Sequence, residues 1–336
     1  MNKRLFGTLK SGEEIYIYTI SGTNTTAEII NYGATIQSLT AFGKDVVGGF
    51  DNLESYVTNP GNQGGTIGRV SNRIENACFT IDGVEYKVTQ NNKSHCLHGG
   101  VCFNHAIWQV TEYADDRIAL RYVSPDGECG FPGELDTTVT YKFVGDDLVI
   151  SYISTPSKKT PIALTNHAYF NLDGFGGDVL DHKLMICADR YSEIDSTILP
   201  TGNHPLVYDT IFDFSTSTRI GNGIGKDFRG YDHNFILSPK THERIDGKLL
   251  ALAATLENDK MMLSIYTDQP GIQLYTGNGL GSPSNPDFKG GIKSIMYGGL
   301  CLETQTEPNS VKRGEGIYSP GETYTHTCVY GFKLKN

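Results

Sequence analysis

The chain has 336 residues, 38% of them hydrophobic and only 20% charged, so it carries enough apolar material for an ordered core. Its formal net charge of −10 argues against nucleic acid or an anionic membrane surface as a partner, because either would repel it, and suits a neutral ligand. No stretch approaches the ~18 consecutive apolar residues of a membrane span, and no apolar run follows the basic start Met1-Asn2-Lys3-Arg4, so neither a membrane segment nor a signal peptide is expected and the cytoplasm is the expected compartment.

Taken from the N-terminus, apolar and polar positions alternate with the period of two that a half-buried strand requires, and turn residues interrupt them at short intervals. Ser11-Gly12 is the first such turn. Asp82-Gly83, between Phe79-Thr80-Ile81 and Val84-Glu85-Tyr86-Lys87-Val88, is the clearest, since Asp-Gly supplies the two positive φ angles of a type I′ hairpin turn. Asp115-Asp116, Gly145-Asp146-Asp147 and Asn258-Asp259 follow in the same role. Residues 249–256 have the composition of a short helix, but residues 261–267 alternate beyond the turn, so a strand pair is expected there. The glycine-rich strings Gly221-Asn222-Gly223-Ile224-Gly225 and Gly277-Asn278-Gly279-Leu280-Gly281 fit neither dinucleotide nor phosphate-loop spacing and read as loops.

Strand patterning continues to residues 324–332 without a linker, a repeat or a charge block, which predicts one domain over residues 1–336. So many strands must bury a common face. The expected fold class is therefore all-β, a large antiparallel β-sandwich. The seven cysteines, at 78, 96, 102, 129, 187, 301 and 328, are odd in number and dispersed, and read as reduced thiols.

Four strings concentrate polar and titratable residues inside this strand-like background: 68–74 (GRVSNRI), 97–100 (LHGG), 165–172 (TNHAYFNL) and 300–305 (LCLETQ). If 164–172 is a strand, Thr165, His167, Tyr169 and Asn171 share one face, and Leu164, Asn166, Ala168, Phe170 and Leu172 the other. In the same way Cys301, Glu303 and Gln305 oppose Leu300, Leu302 and Thr304. A lone strand histidine or glutamate usually has a bland role; four such strings in one chain outline a cleft.

Together the strings resemble those of the aldose 1-epimerase (galactose mutarotase) family, with Leu199-Pro200-Thr201-Gly202, Tyr231-Asp232-His233-Asn234 and Tyr275-Thr276-Gly277-Asn278 following in the family's order. The resemblance runs from Asn31-Tyr32-Gly33-Ala34 to Pro320-Gly321-Glu322. It implies the galactose mutarotase-like supersandwich and a reaction that interconverts the α and β anomers of a free hexose, D-galactose or D-glucose, with no cofactor and no metal. It also implies Glu303 as the base for the C1 hydroxyl and His167 as the acid for the ring oxygen. Arg73, His98 and Asp232 match its sugar-binding positions, while Asn72, Tyr169 and Gln305 are further candidates beside them. The implied partner is a monosaccharide, and the assembly a monomer or homodimer. Two segments depart from the family pattern: Val101-Cys102 reach Phe103 one residue early, and Glu307 stands where an aromatic is usual. Both are expected beside the cleft.

Other readings are a glycosidase using Asp232 and Glu303, an epimerase of a phosphorylated hexose with Arg69 and Arg73 as its basic pair, and a sugar-binding module without catalysis. His95, Cys96, His98, Cys102 and His105 offer soft ligands within eleven residues, but lack the spacing of a zinc site.

Overall fold

The computed structural model describes residues 2–58 and 61–335. All five expected hairpins are present. Asn2–Thr8 pairs with Glu14–Ser21 across Ser11-Gly12, and Cys78–Ile81 with Val84–Lys87 across Asp82-Gly83, both of which take positive φ (49° and 80°) as a type I′ turn demands. Gln109–Tyr113 pairs with Arg117–Ser124, Leu135–Val144 with Asp147–Pro156, and Lys248–Glu257 with Met261–Thr267. The helical composition of 249–256 thus yields to its partner strand.

Three sheets carry the architecture. A five-stranded sheet is built from the first 45 residues. A ten-stranded antiparallel sheet has Asp147–Pro156 and Tyr324–Leu334 side by side at its middle. A four-stranded antiparallel sheet is ordered Ala188–Tyr191, Asp232–Leu237, Gly271–Tyr275, Cys301–Gln305. All three send apolar residues into one buried cluster: Ile29 and Ile36 from the first, Ile118, Val139, Ile150 and Leu263 from the second, Phe235, Ile272, Leu274 and Leu302 from the third. The result is a large antiparallel sandwich, and the other face of the four-stranded sheet is free to be polar. Among the described residues one α-helix occurs, Leu53–Val57, capped by Asn52 Oδ1 on Ser55 N–H, and no helix is long and apolar enough to cross a membrane.

Two expectations need correction. Only Thr165–Asn166 of 164–172 forms a ladder. The rest is threaded between separate segments: His167 N–H donates to Gly65 O, Tyr169 O accepts from Gly48 N–H, and Phe170 exchanges hydrogen bonds with Leu300. No single neighbour runs alongside long enough to make a strand, yet Leu164, Ala168, Phe170 and Leu172 still enter the core. The second concerns the cysteines. Cys102 and Cys129 form a disulfide, and the other five are free. The turns around Gly100 and Gly127 bring these two, 27 residues apart, to a Cα separation of 6.6 Å, within bridging range.

Candidate active site

The cleft lies over the polar face of the four-stranded sheet, a cavity of about 410 Å³ lined by Asn72, Arg73, His98, His167, Tyr169, Asp232 and Glu303 together with Leu97, Tyr275, Leu280, Ser282, Ser284, Asn285 and the loop residues Gly61, Asn62 and Gly279. Strand alternation selects its floor. Asp232 faces Tyr275, and Gln273 faces Glu303, on neighbouring strands whose intervening residues Ile272, Leu274 and Leu302 point into the core. Seven of the eight residues singled out in the sequence therefore converge; Gln305 does not line the cavity and is fully buried one rung beyond Glu303.

One wall comes from tight turns. Asn72 (φ 58°) and His98 (φ 55°) both adopt left-handed backbone and hold each other: His98 N–H donates to Asn72 O at 2.9 Å, and Asn72 N–H to His98 Nδ1 at 3.2 Å. Asn72 Oδ1 accepts from Arg73 N–H at 2.8 Å. Gly99 must be glycine, since its φ is 68° and a Cβ there would sit 2.3 Å from Gly68 O. Arg73 Nη2 then lies 3.6 Å from Asp232 Oδ2, while Gln273 Nε2 donates to Asp232 Oδ1 at 2.7 Å. Sequence reasoning passed over Gln273 and Tyr275; the available signal was a polar and an aromatic residue alternating with Ile272 and Leu274.

Opposite Asp232, Glu303 Oε1 stands 3.8 Å from His167 Nε2. The imidazole packs edge-on to His98, with ring centroids 5.1 Å apart, and leans on Tyr169. Cys301 Sγ lies 3.4 Å from His167 Nδ1. Burial holds the Cys301 thiol well above its ordinary pKa, so it is protonated beside the ring. His167, Cys301 and Glu303 offer donor atoms within 4.8 Å of one another, and of these contacts the one between Cys301 and His167 is within hydrogen-bond distance.

Burial, reinforced by the charge of Asp232 and opposed by Arg73, pushes Glu303 well above the usual carboxylate range. The same burial takes His167 down to about 4 and His98 well below its ordinary value. In the empty cleft burial thus favours the neutral form of both partners, which leaves the proton on Glu303.

The remaining sequence candidates lie elsewhere. Arg69 is fully buried, with its guanidinium donating to Ser124, Pro132, Gly133 and Pro125, so the expected basic pair with Arg73 does not form. The soft-ligand string disperses: His95 Nδ1 accepts from Asn76 N–H, Cys102 is in the disulfide, and His105 pairs with Tyr32. Neither departing segment lines the cleft. Glu307 Oε1 accepts from Ser192 Oγ at 2.7 Å and lies 2.8 Å from His204 Nε2, and its Oε2 pairs with Arg313 at 2.7 Å.

Residues 16–331 match the family model for aldose 1-epimerase. The chain is 37% identical to galactose mutarotase of Sus scrofa over 348 residues, covering 99% of each protein, and 33% identical to aldose 1-epimerase of Escherichia coli over 321 residues, covering 90% of this chain and 91% of that one. Among solved structures it is similar to an aldose epimerase homologue from C. elegans (TM-score 0.86, 30% identity, 95% of this chain and 99% of that one) and to galactose 1-epimerase from Lactobacillus acidophilus (TM-score 0.86, 25% identity, 100% and 99%).

Proposed function

The chain belongs to the aldose 1-epimerase family, and from that premise we propose that Glu303 and His167 are the base and acid with which it interconverts the α and β anomers of a free hexose. The enzyme is a mutarotase, and its substrate is D-galactose, D-glucose or both. The observation that carries the assignment of the pair is the 3.8 Å approach of Glu303 Oε1 to His167 Nε2 at the floor of the cleft.

Opening the ring requires O1 to lose a proton while the ring oxygen gains one, since otherwise an alkoxide or an oxocarbenium-like charge develops. Glu303 takes the O1 proton, His167 gives its Nε2 proton to the ring oxygen, and the C1–O5 bond breaks to leave the aldehyde. Rotation about C1–C2 turns the other carbonyl face to O5, and the two groups working in reverse close the ring. The single proton shared by the pair suffices for both directions, and each group contributes on the order of 10²–10⁴-fold. It must sit on His167 when opening begins. Sugar hydroxyls donating to Glu303, together with Arg73, favour that arrangement against burial. Arg73, His98 and Asp232 fix the hydroxyls, with Asn72 and Tyr169 supporting them.

On this reading residues 1–336 act as one catalytic domain in the cytoplasm. The test is polarimetry on freshly dissolved α-D-galactose, α-D-glucose and glucose 6-phosphate at matched temperature and buffer. Rapid decay of rotation for the free sugars, with the phosphate ester much slower, is expected. Selective action on the ester would replace this reading with the phosphorylated-hexose one.

A further inference from the structure

Tyr275 lines the cleft, yet the proposed mechanism gives it no part. It closes the strand Gly271–Tyr275, opposite Asp232 on one neighbouring strand and Cys301 on the other. Its ring stands edge-on to both Tyr169 and His167, with centroids 6.1 and 6.5 Å away, so two aromatic neighbours fix its plane. The phenol oxygen accepts a hydrogen bond of 2.7 Å from Gly279 N–H.

The turn that supplies this N–H is held from several sides. Gly277 has a left-handed φ of 68°, and a Cβ there would sit 2.3 Å from Gly299 O. Leu280 and Tyr297 N–H both donate to Gly277 O, Thr276 Oγ1 donates to Asn278 Oδ1 at 2.6 Å, and Asn278 Nδ2 donates to Tyr231 O at 3.0 Å. Gly279 itself has no left-handed φ, so its backbone tolerates a side chain. Among the described residues beyond its chain neighbours, a Cβ at 279 would meet one atom within 4 Å, the Tyr275 phenol oxygen at 2.9 Å. The hydrogen bond to Tyr275 therefore accounts for glycine at this position.

A phenol can accept a hydrogen bond and has one hydrogen to donate. Gly279 occupies the accepting side, and among the described residues the hydrogen finds no protein acceptor. Burial, with the charge of Asp232 and the Cys301 thiol adding to it and Gly279 and Arg73 opposing it, keeps the phenol protonated. We propose that Tyr275 is a further sugar-binding residue, its hydroxyl donating to a hydroxyl oxygen of the bound hexose. The assignment rests on the proposed reaction, in which O1 and the ring oxygen face Glu303 and His167, so the acceptor is a hydroxyl on C2, C3, C4 or C6. Tyr275 adds an uncharged donor to a cleft whose carboxylates, Asp232 and Glu303, can only accept when ionised. Accepting from Gly279 also makes the phenol a better donor, because hydrogen bonds in a chain polarise one another.

The experiment compares wild type, Tyr275→Phe and Gly279→Ala on whichever free hexose, D-galactose or D-glucose, the wild type turns over faster. Polarimetry gives KM and kcat, titration calorimetry gives Kd, and both are repeated with the deoxy sugars lacking the hydroxyl at C2, C3, C4 or C6. Tyr275→Phe should raise KM and Kd about three- to tenfold, the worth of one neutral hydrogen bond, with kcat within about twofold. Gly279→Ala should act in the same direction, because its methyl displaces the phenol. One deoxy sugar should bind more weakly to wild type but lose about three- to tenfold less in Tyr275→Phe, the non-additivity of two groups in contact. A change of less than about twofold in Tyr275→Phe overturns the assignment. So does a loss that every deoxy sugar shares equally, which, with a fall in Tm, would make Tyr275 a structural residue. A wild type that fails to accelerate mutarotation overturns the proposed function instead, and calorimetry with D-galactose still judges Tyr275.

Discussion

Asp232 sits where two effects separate. One oxygen faces Arg73 and the other accepts from Gln273, an arrangement suited to holding sugar hydroxyls, while its negative charge raises the pKa of Glu303. Asp232→Asn should therefore raise KM for galactose by on the order of tenfold, the worth of a charged hydrogen bond of about 1.5 kcal/mol. It should also move the acid limb of the rate profile to lower pH, because a base relieved of a neighbouring anion ionises more readily. A steady-state pH series checks both, and an acid limb moving upward would contradict the electrostatics. Strand alternation placed Glu303 on the polar face, between the core residue Leu302 and Thr304, whereas His167 lies in a threaded segment, and the roles of both came from the resemblance to the family. Gln305 shares that alternation, yet its rung lies beyond the cleft, and the distance of a rung from a cavity is set by loops such as 277–285 that have no periodicity to read. Gln273 alternates with Ile272 and Leu274, and Cys301 shares the face of Glu303, but what each does depends on a contact with a remote segment that alternation does not reveal.

At the scale of elements, the hairpins were written in their turns and the threaded segment was not. Asp-Gly, with apolar alternation on both sides, fixes a local geometry that needs nothing from the rest of the chain. The extended residues 167–171 owe their course to three remote segments at once, so their local pattern suggested one continuous strand. The same contrast predicts the effect of two glycine substitutions. Gly83 has φ 80° and open space around it, so Gly83→Ala should cost only the left-handed backbone term of about 1–2 kcal/mol. Gly99 has φ 68° and backbone atoms 2.3–2.6 Å from any Cβ, so Gly99→Ala must displace the turn that carries His98 and should cost at least about 3 kcal/mol, with a loss of activity that Gly83→Ala does not share. Urea unfolding measures the difference; equal costs would contradict the account of that wall.

For the molecule as a whole, buried histidines set the acid limit of stability. Burial takes His167, His233 and His326 each down to about 4 in the folded state, against about 6.5 when exposed. Between those values the unfolded chain binds protons that the folded one refuses, so stability falls as the pH drops through 6.5 toward 4, by on the order of 1–3 kcal/mol per pH unit. Glu303 opposes this in part, because its raised pKa lets the folded state keep a proton that the unfolded chain releases. Urea midpoints at pH 7 and pH 5 test the sign. Thiol titration in denaturant without reductant should find five reactive cysteines, and seven after reduction. The pairing of Cys102 with Cys129 could not be read from an odd count of dispersed cysteines, since it depends on two turns meeting in space. The sandwich itself was legible in the alternation and the glycine-rich turns, whereas the order of strands, a matter of contacts between distant segments, was not.

The role of Glu303 as the base of a mutarotase is tested by the initial rate at which Glu303→Gln, shown by circular dichroism to be folded, changes the optical rotation of α-D-galactose. The expected rate is on the order of 10²–10⁴-fold below wild type; a rate within about threefold of wild type would remove Glu303 from that role.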